Sequence, residues 1–131
     1  MTAWLEEARH LLRLSLRDYQ TFGILVDSGR AELAPTCFHA QQAAEKALKS
    51  VLTLLRQDFP RTHQLTELAR LVVDAGGMPP LAPEEYLPLT PFAVELRYDD
   101  VETDLMTREQ AGRVAKQTLD WATQQVDKAA G

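Results

Sequence analysis

Apolar residues recur at steps of three and four along nearly the whole chain, which is the spacing of one face of an α-helix. Over the first part of the sequence this repeat predicts one long amphipathic helix. The helix is expected to end at DSGR, residues 27–30, because Gly29 suits the left-handed conformation that often closes a helix. Its apolar positions are Trp4, Leu5, Ala8, Leu11, Leu12, Tyr19, Phe22 and Val26.

A second helix is predicted from about Ala31 to Arg56, with an apolar stripe and a polar stripe on opposite sides. The apolar stripe consists of Cys37, Ala40, Ala44, Ala47, Leu48, Val51 and Leu55. Its N-terminal half is rich in small residues, so we expect another helix to cross closely near Ala40 and Ala44. The polar stripe consists of Gln42, Glu45, Lys46, Lys49 and Thr53.

Two shorter segments follow the second helix. The run HQLTELARLVVDAGG, residues 63–77, predicts a short helix with Thr62 as its N-cap and two glycines at its end. The proline-rich run MPPLAPEEYLPLTP, residues 78–91, is too short and too apolar for a domain linker. We interpret it as a packed loop that contains a short helical piece.

The last part of the chain predicts two more helices. Thr90 is placed to cap PFAVELRY, residues 91–98, with proline at the tolerated first helical position. Thr107 and Gln110 have the spacing of a capping box for the final helix.

These elements predict an all-α protein, an up-and-down helical bundle of about five helices whose first two form a long hairpin. Its 131 residues fit one domain, residues 1–131, with one core. No apolar run is long enough to span a bilayer, and the opening MTAWLEEARH does not predict a secretory leader. We therefore expect no membrane association. The single cysteine, Cys37, excludes an intrachain disulfide and is consistent with the cytoplasm.

The net charge of −5 is concentrated in the second half of the chain. Residues 1–70 contain 9 Lys and Arg against 8 Asp and Glu, whereas residues 71–131 contain 5 against 11. An acidic protein lacks the broad positive field that drives non-specific binding to nucleic acids. Any contact with RNA or a nucleotide must therefore be local.

The polar stripe of the second helix has two interpretations. Glu45 and Lys49 are spaced to pair with each other, as on a solvated helix surface. Phe38, however, lies on the same side, and a large aromatic side chain there favours cover by another part of the chain or by a second subunit. We expect an interface at Phe38, Gln42 and Glu45.

Other polar residues predict little chemistry by themselves. Arg9, Arg13 and Arg17 repeat every four residues, which is typical of a solvated face and alternatively of a strip for an acidic partner or RNA phosphates. The three histidines lack metal-ligand spacing, so no metal site and no cofactor are expected. No glycine-rich phosphate loop or nucleophile motif is present.

Three stretches resemble the higher eukaryotes and prokaryotes nucleotide-binding (HEPN) domain family. They are CFHAQQAAEKALKSVL, RTHQLTELARL and AVELRYDD, in that order. The resemblance covers nearly the whole chain and implies a short helical bundle, commonly a homodimer. Prokaryotic members of this family often act beside a minimal nucleotidyltransferase in toxin–antitoxin-like pairs, so the resemblance implies such a partner here.

Many members of that family are metal-independent ribonucleases, with an arginine followed a few residues later by a histidine. Arg97 matches the arginine, but YDDVETD follows it and contains no histidine. A histidine would move the protons of the reaction and an arginine would hold the phosphate. His63 is the distant candidate for the missing role if the chain is a ribonuclease.

Three functions remain open at this point. The first is a dimeric binding partner of a nucleotidyltransferase that also binds a nucleotide or RNA, with little or no catalysis of its own. The second is a ribonuclease that uses Arg97 and His63, and the third is a structural interaction module. The candidate ligand-binding residues are Arg97, Lys46, Lys49 and His63.

Overall fold

The computed structural model describes residues 2–93 and 106–131. Within these ranges the chain is helical, with four α-helices and two short 3-10 helices and without strands. The α-helices are α1 (Ala3–Ser28), α2 (Leu33–Leu54), α3 (Leu65–Asp74) and α4 (Arg108–Ala130). The 3-10 helices are Pro83–Tyr86 and Thr90–Ala93. The all-α bundle is thus confirmed, with four α-helices in place of the five predicted.

The difference in number arises after the proline-rich run. The segment predicted as a helix from Pro91 begins as the 3-10 turn Thr90–Ala93, and residues 94–98 of the prediction lie outside the described residues. Its hydrogen bonds span three residues, from Thr90 N–H to the Leu87 carbonyl and from Phe92 N–H to the Leu89 carbonyl. Each acceptor lies three residues back, as in a 3-10 turn, whereas an α-helix uses the carbonyl four residues back.

The long hairpin of α1 and α2 is confirmed. Gly29 closes α1 with φ of 68°, as its position predicted. The two helices approach closely enough for side chains of one to reach the main chain of the other. Ser15 Oγ donates to the Ala43 carbonyl at 2.6 Å, and Ser50 Oγ donates to the Ala8 carbonyl at 2.8 Å.

Helix α2 is the centre of the molecule. It packs against α1, α3, α4 and the second 3-10 helix, while α1 also packs against α4. The predicted apolar stripe is buried from Cys37 to Val51, including the small residues Ala40, Ala44 and Ala47. The small side chains are therefore covered by this chain's own helices.

The remaining helix ends follow local rules with one correction. Thr107 Oγ1 accepts from the Gln110 N–H and the Gln110 side chain accepts from the Thr107 N–H, so the capping box of α4 is confirmed. The N-cap of α3 is Gln64 and the prediction of Thr62 was wrong. Thr62 Oγ1 instead accepts from the Gln64 N–H two residues on, which shapes the turn before the helix.

Among the described residues, no helix has both the length and the apolar character that crossing a bilayer requires.

Candidate functional site

Two carboxylates organise the polar face that runs along α2. The first is Asp18 of α1, whose side chain is 15% exposed. Its Oδ1 lies 3.0 Å from His39 Nδ1, and its Oδ2 accepts from Lys46 Nζ. Since a carboxylate can only accept, the bond to His39 requires a proton on Nδ1. We call Asp18, His39 and Lys46 the Asp18 set.

The second carboxylate is Glu45 of α2, whose side chain is only 5% exposed. Its Oε1 lies 2.9 Å from His63 Nδ1, and its Oε2 accepts from Lys49 Nζ at 2.9 Å. Gln41, fully buried beneath it, donates through Nε2 to Glu45 Oε1 at 3.1 Å and to the His63 carbonyl at 2.9 Å. We call Gln41, Glu45, Lys49 and His63 the Glu45 set.

The two sets share one geometry. In each, one carboxylate oxygen bonds a histidine Nδ1 and the other bonds a lysine ammonium. His39, Gln42, Lys46 and Lys49 follow each other at steps of three and four on α2, so the sets form a continuous polar strip. We call this surface the α2 strip.

The charges of the α2 strip are balanced in pairs. Lys46 is neutralised by Asp18 and Lys49 by Glu45. When the imidazoles are neutral, each Nδ1–H faces its carboxylate and each Nε2 becomes an acceptor. The His63 side chain is 64% exposed, so its Nε2 can meet a ligand or a partner. The strip therefore offers fixed hydrogen-bonding groups with little net charge.

The connector between α2 and α3, residues 55–64, explains why Glu45 is buried although the sequence placed it on a polar stripe. The connector folds back over α2 and holds His63 against the carboxylate. Farther along, the Lys49 ammonium lies 5.7 Å from the centre of the Phe59 ring. His63 lies eighteen residues after Glu45 in the sequence, so helical periodicity alone could not reveal that the two side chains meet.

The structure brings three of the four predicted ligand-binding residues onto this strip. Lys46 belongs to the Asp18 set, and Lys49 and His63 belong to the Glu45 set. The fourth, Arg97, lies outside the described residues, so its pairing with His63 stays a prediction.

The three residues predicted at an interface also lie along α2. Glu45 is buried in its own chain, whereas Phe38 and Gln42 are half-buried. Phe38 packs edge-on against the His39 ring, with 5.2 Å between ring centroids. Gln42 Nε2 donates to Gln41 Oε1 at 2.8 Å. Phe38 therefore borders the Asp18 set and Gln42 borders the Glu45 set, and the predicted interface stays a prediction.

Sequence reasoning missed the importance of Asp18, Gln41 and His39. A signal existed for Gln41, which falls on the buried stripe between Cys37 and Leu48 and so needs a hydrogen-bonding partner. Asp18 follows the buried Ser15 by three residues, at the edge of the buried face of α1. Only the packing of α1 on α2 shows which groups it meets.

Two further expectations concern reactive or metal-binding groups. Cys37 is buried, and desolvation raises the pKa of its thiol to about 11 although Arg108 nearby opposes that shift. It is therefore an unreactive core side chain under neutral conditions. In residues 2–93 and 106–131, no group of three or more His, Cys, Asp or Glu side chains is arranged to hold a metal ion.

Comparison with known proteins places the chain in one family. The family model for the HEPN domain matches residues 2–124. No curated protein matches the chain. No solved structure matches it either.

Proposed function

Because this chain belongs to the HEPN domain family, we propose that it is a binding protein that works as a dimer beside a minimal nucleotidyltransferase, in a toxin–antitoxin-like pair. The partner docks on the α2 strip. A nucleotide or RNA group that contacts the complex meets the exposed side of His63.

The observation that supports this proposal is the pair of carboxylate-bridged sets on α2. Asp18 and Glu45 fix the directions of two histidines and two lysines before any partner arrives. Binding is favoured when polar groups are already ordered, because less side-chain entropy is lost at the interface. The half-buried Phe38 beside the Asp18 set supplies an aromatic anchor of the kind that dominates interface energies.

The proposal requires a minimal nucleotidyltransferase encoded beside this gene, and the test is a titration of the chain with that protein. We expect the substitution Phe38→Asp to weaken the complex at least about tenfold, since truncating a hot-spot aromatic side chain typically costs about 2 kcal/mol or more. His63→Ala should weaken it by a smaller factor. Circular dichroism of each variant confirms that the helices are retained.

The matched control is Leu87→Asp, which places the same charge on an exposed apolar residue of the proline-rich run. Its affinity for the nucleotidyltransferase should equal that of the wild type. The proposal fails if the wild type forms no complex, or if Phe38→Asp and Leu87→Asp have equal affinities.

A second candidate function is metal-independent cleavage of RNA. The observation in its favour is the His63–Glu45 bond, which directs Nε2 of an exposed imidazole outward as a general base requires. General acid–base catalysis by one positioned side chain contributes roughly 10²–10⁴-fold, so this group would be decisive if substrate reached it. We nevertheless expect the isolated chain not to cleave RNA efficiently, because no histidine follows Arg97 in sequence.

An assay on single-stranded RNA in the presence of a chelator separates the two functions. Wild type, Arg97→Ala and His63→Ala are compared. Cleavage by the wild type that disappears in both variants would establish the ribonuclease and overturn the binding protein. Absence of cleavage in all three supports the first proposal.

A further inference from the structure

A groove lies between α1 and α4, and none of its lining residues belongs to the α2 strip. Its volume is about 340 Å³, which falls in the range of pockets for small ligands. Tyr19, Phe22 and Val26 line it from α1 at steps of three and four. Gly112 and Arg113 of α4 lie among the residues opposite.

The floor of the groove is aromatic and depends on a glycine. Phe22 is buried and stacks against the Tyr19 ring, with 6.1 Å between ring centroids and 26° between ring planes. A Cβ at Gly112 would lie 2.8 Å from Phe22 Cε2, closer than real contacts allow. The absence of a side chain at Gly112 therefore lets the Phe22 ring reach α4 and leaves the half-buried Tyr19 ring to border the open space.

The rim of the groove on α4 is cationic although the chain as a whole is acidic. It carries Arg108, Arg113 and Lys116 against one carboxylate, Glu109. Arg108 is anchored, since its Nη2 donates to the Ala31 carbonyl at 2.8 Å. Lys116 pairs with Asp120 outside the groove lining. Arg113 is exposed and forms no ion pair within the part of the chain that the structure describes.

We propose that this groove binds a small ligand that carries both a flat ring and an anionic group. The ring lies against Tyr19, where stacking on an aromatic face is favourable. The anionic group accepts hydrogen bonds from the Arg113 guanidinium, whose planar fork matches a carboxylate or a phosphate. This chemistry is shared by aromatic carboxylates and by nucleoside monophosphates. The inference does not depend on the proposed partner, because the α2 strip contributes no residue to the groove.

The experiment is a titration of the ¹⁵N-labelled chain with four probes: AMP, benzoate, adenosine and inorganic phosphate. AMP or benzoate should shift the amide signals of Gly112 and Arg113. The probe that binds more tightly shows whether the groove prefers a phosphate or a carboxylate as the anionic group. Adenosine lacks the anion and phosphate lacks the ring, so each should bind at least about tenfold more weakly. The inference is overturned if neither AMP nor benzoate shifts these amides, or if phosphate alone binds as tightly.

Variants on α4 complete the test. Arg113→Ala should raise the dissociation constant of the tighter probe about tenfold, since a charge-assisted hydrogen bond is lost. Lys128→Ala, which removes an exposed cation of the same helix outside the groove, should leave it unchanged. Equal affinities in these two variants would contradict the inference. Gly112→Ala should also weaken binding, because Phe22 must shift to accommodate the new methyl group.

Discussion

The carboxylate of Glu45 illustrates how much one buried residue organises in this protein. It accepts hydrogen bonds from Lys49 on its own helix and from Gln41 beneath it, and it holds His63 of the connector. Burying a charge is costly unless partners replace the lost water. Here these hydrogen-bonding partners replace it, and the carboxylate in turn fixes their positions. The side-chain directions of the α2 strip therefore depend on this carboxylate.

The substitution Glu45→Gln tests that dependence. It keeps the size of the side chain but leaves the half-buried Lys49 ammonium without its counter-ion. We expect the free energy of unfolding to fall by about 3 kcal/mol, the lower end of the range for removing one partner of a buried ion pair, because Lys49 keeps some contact with water. Urea unfolding followed by circular dichroism measures the change.

The control for this variant is Asp120→Asn. Asp120 also pairs with a lysine one helical turn away, Lys116, but both side chains are exposed. Exposed pairs of this kind contribute little to stability because solvent screens them. A loss for Glu45→Gln as small as that for Asp120→Asn would show that the Glu45 set does not stabilise the fold.

The buried thiol of Cys37 predicts that the protein loses stability at alkaline pH. Its pKa is about 9 when the chain is unfolded and rises to about 11 in the buried site. The folded state therefore retains a proton that the unfolded state has released. Stability from this group is fully present below pH 9 and is lost as the pH rises from 9 to 11. The total loss is on the order of 3 kcal/mol.

Urea unfolding of wild type and Cys37→Ala across pH 8 to about 11 measures this effect. The burial of Tyr86 raises its pKa to about 12 and adds a common decline above pH 10 in both proteins. The difference between the two curves of unfolding free energy against pH gives the contribution of the Cys37 thiol. A difference between wild type and variant that does not change with pH would contradict the expected linkage.

Among the secondary-structure elements, the C-terminus of α2 is unusual. Gln57 N–H bonds the Leu52 carbonyl and Arg56 N–H bonds the Thr53 carbonyl, as in a Schellman motif. Arg56 takes the left-handed position with φ of 56°, where glycine is the common residue. Its guanidinium lies 4.5 Å from the centre of the Trp4 ring at the start of α1. The cation–π contact thus offsets backbone strain and ties the end of one helix to the start of another.

A double-mutant cycle separates these two contributions. In the wild type, Arg56→Gly relieves about 1 kcal/mol of strain but loses a cation–π contact of roughly 0.5–1 kcal/mol, so stability should hardly change. In a Trp4→Leu background the contact is already absent, and the same substitution should stabilise by about 1 kcal/mol. Thermal unfolding of the four proteins gives the coupling, and a coupling near zero would show that Trp4 does not hold Arg56.

The helix ends also show which features of the fold can be predicted from sequence. Gly29 and the Thr107–Gln110 capping box act on their own neighbours, so a local pattern was sufficient. The 3-10 turn Thr90–Ala93 competes closely with an α-helical start, and a local pattern could not separate them. The candidate site is more difficult to predict from sequence, because His63 meets Glu45 only after the connector has folded back.

For the whole molecule, the main open prediction is a homodimer. The small residues of α2 that suggested a close helix crossing are fully buried within the chain. A second copy must therefore use another surface, and the predicted residues Phe38 and Gln42 remain accessible in part. Two-fold symmetric pairs are the commonest oligomers, and we expect such a pair to bring the Phe38 ends of two α2 strips together, so that the nucleotidyltransferase docks across the composite surface of both copies.

Sedimentation at micromolar concentration tests this prediction. We expect a species of twice the monomer mass for the wild type and at least about tenfold weaker association for Phe38→Asp. Ile24→Asp changes an exposed apolar residue of α1 and should leave the dimer intact. A wild type that is only monomeric would contradict an interface on α2. A dimer that Ile24→Asp dissociates and Phe38→Asp leaves intact would contradict it as well.

The proposal that a nucleotidyltransferase docks on the α2 strip is tested most directly by hydrogen–deuterium exchange of this chain with and without that partner. The connector, residues 55–64, holds His63 over the strip, and it exposes Arg56, Gln57 and Asp58. We expect the partner to slow exchange in the connector and to leave the C-terminal half of α4 unchanged. Slowed exchange in α4 together with an unaffected connector would contradict it.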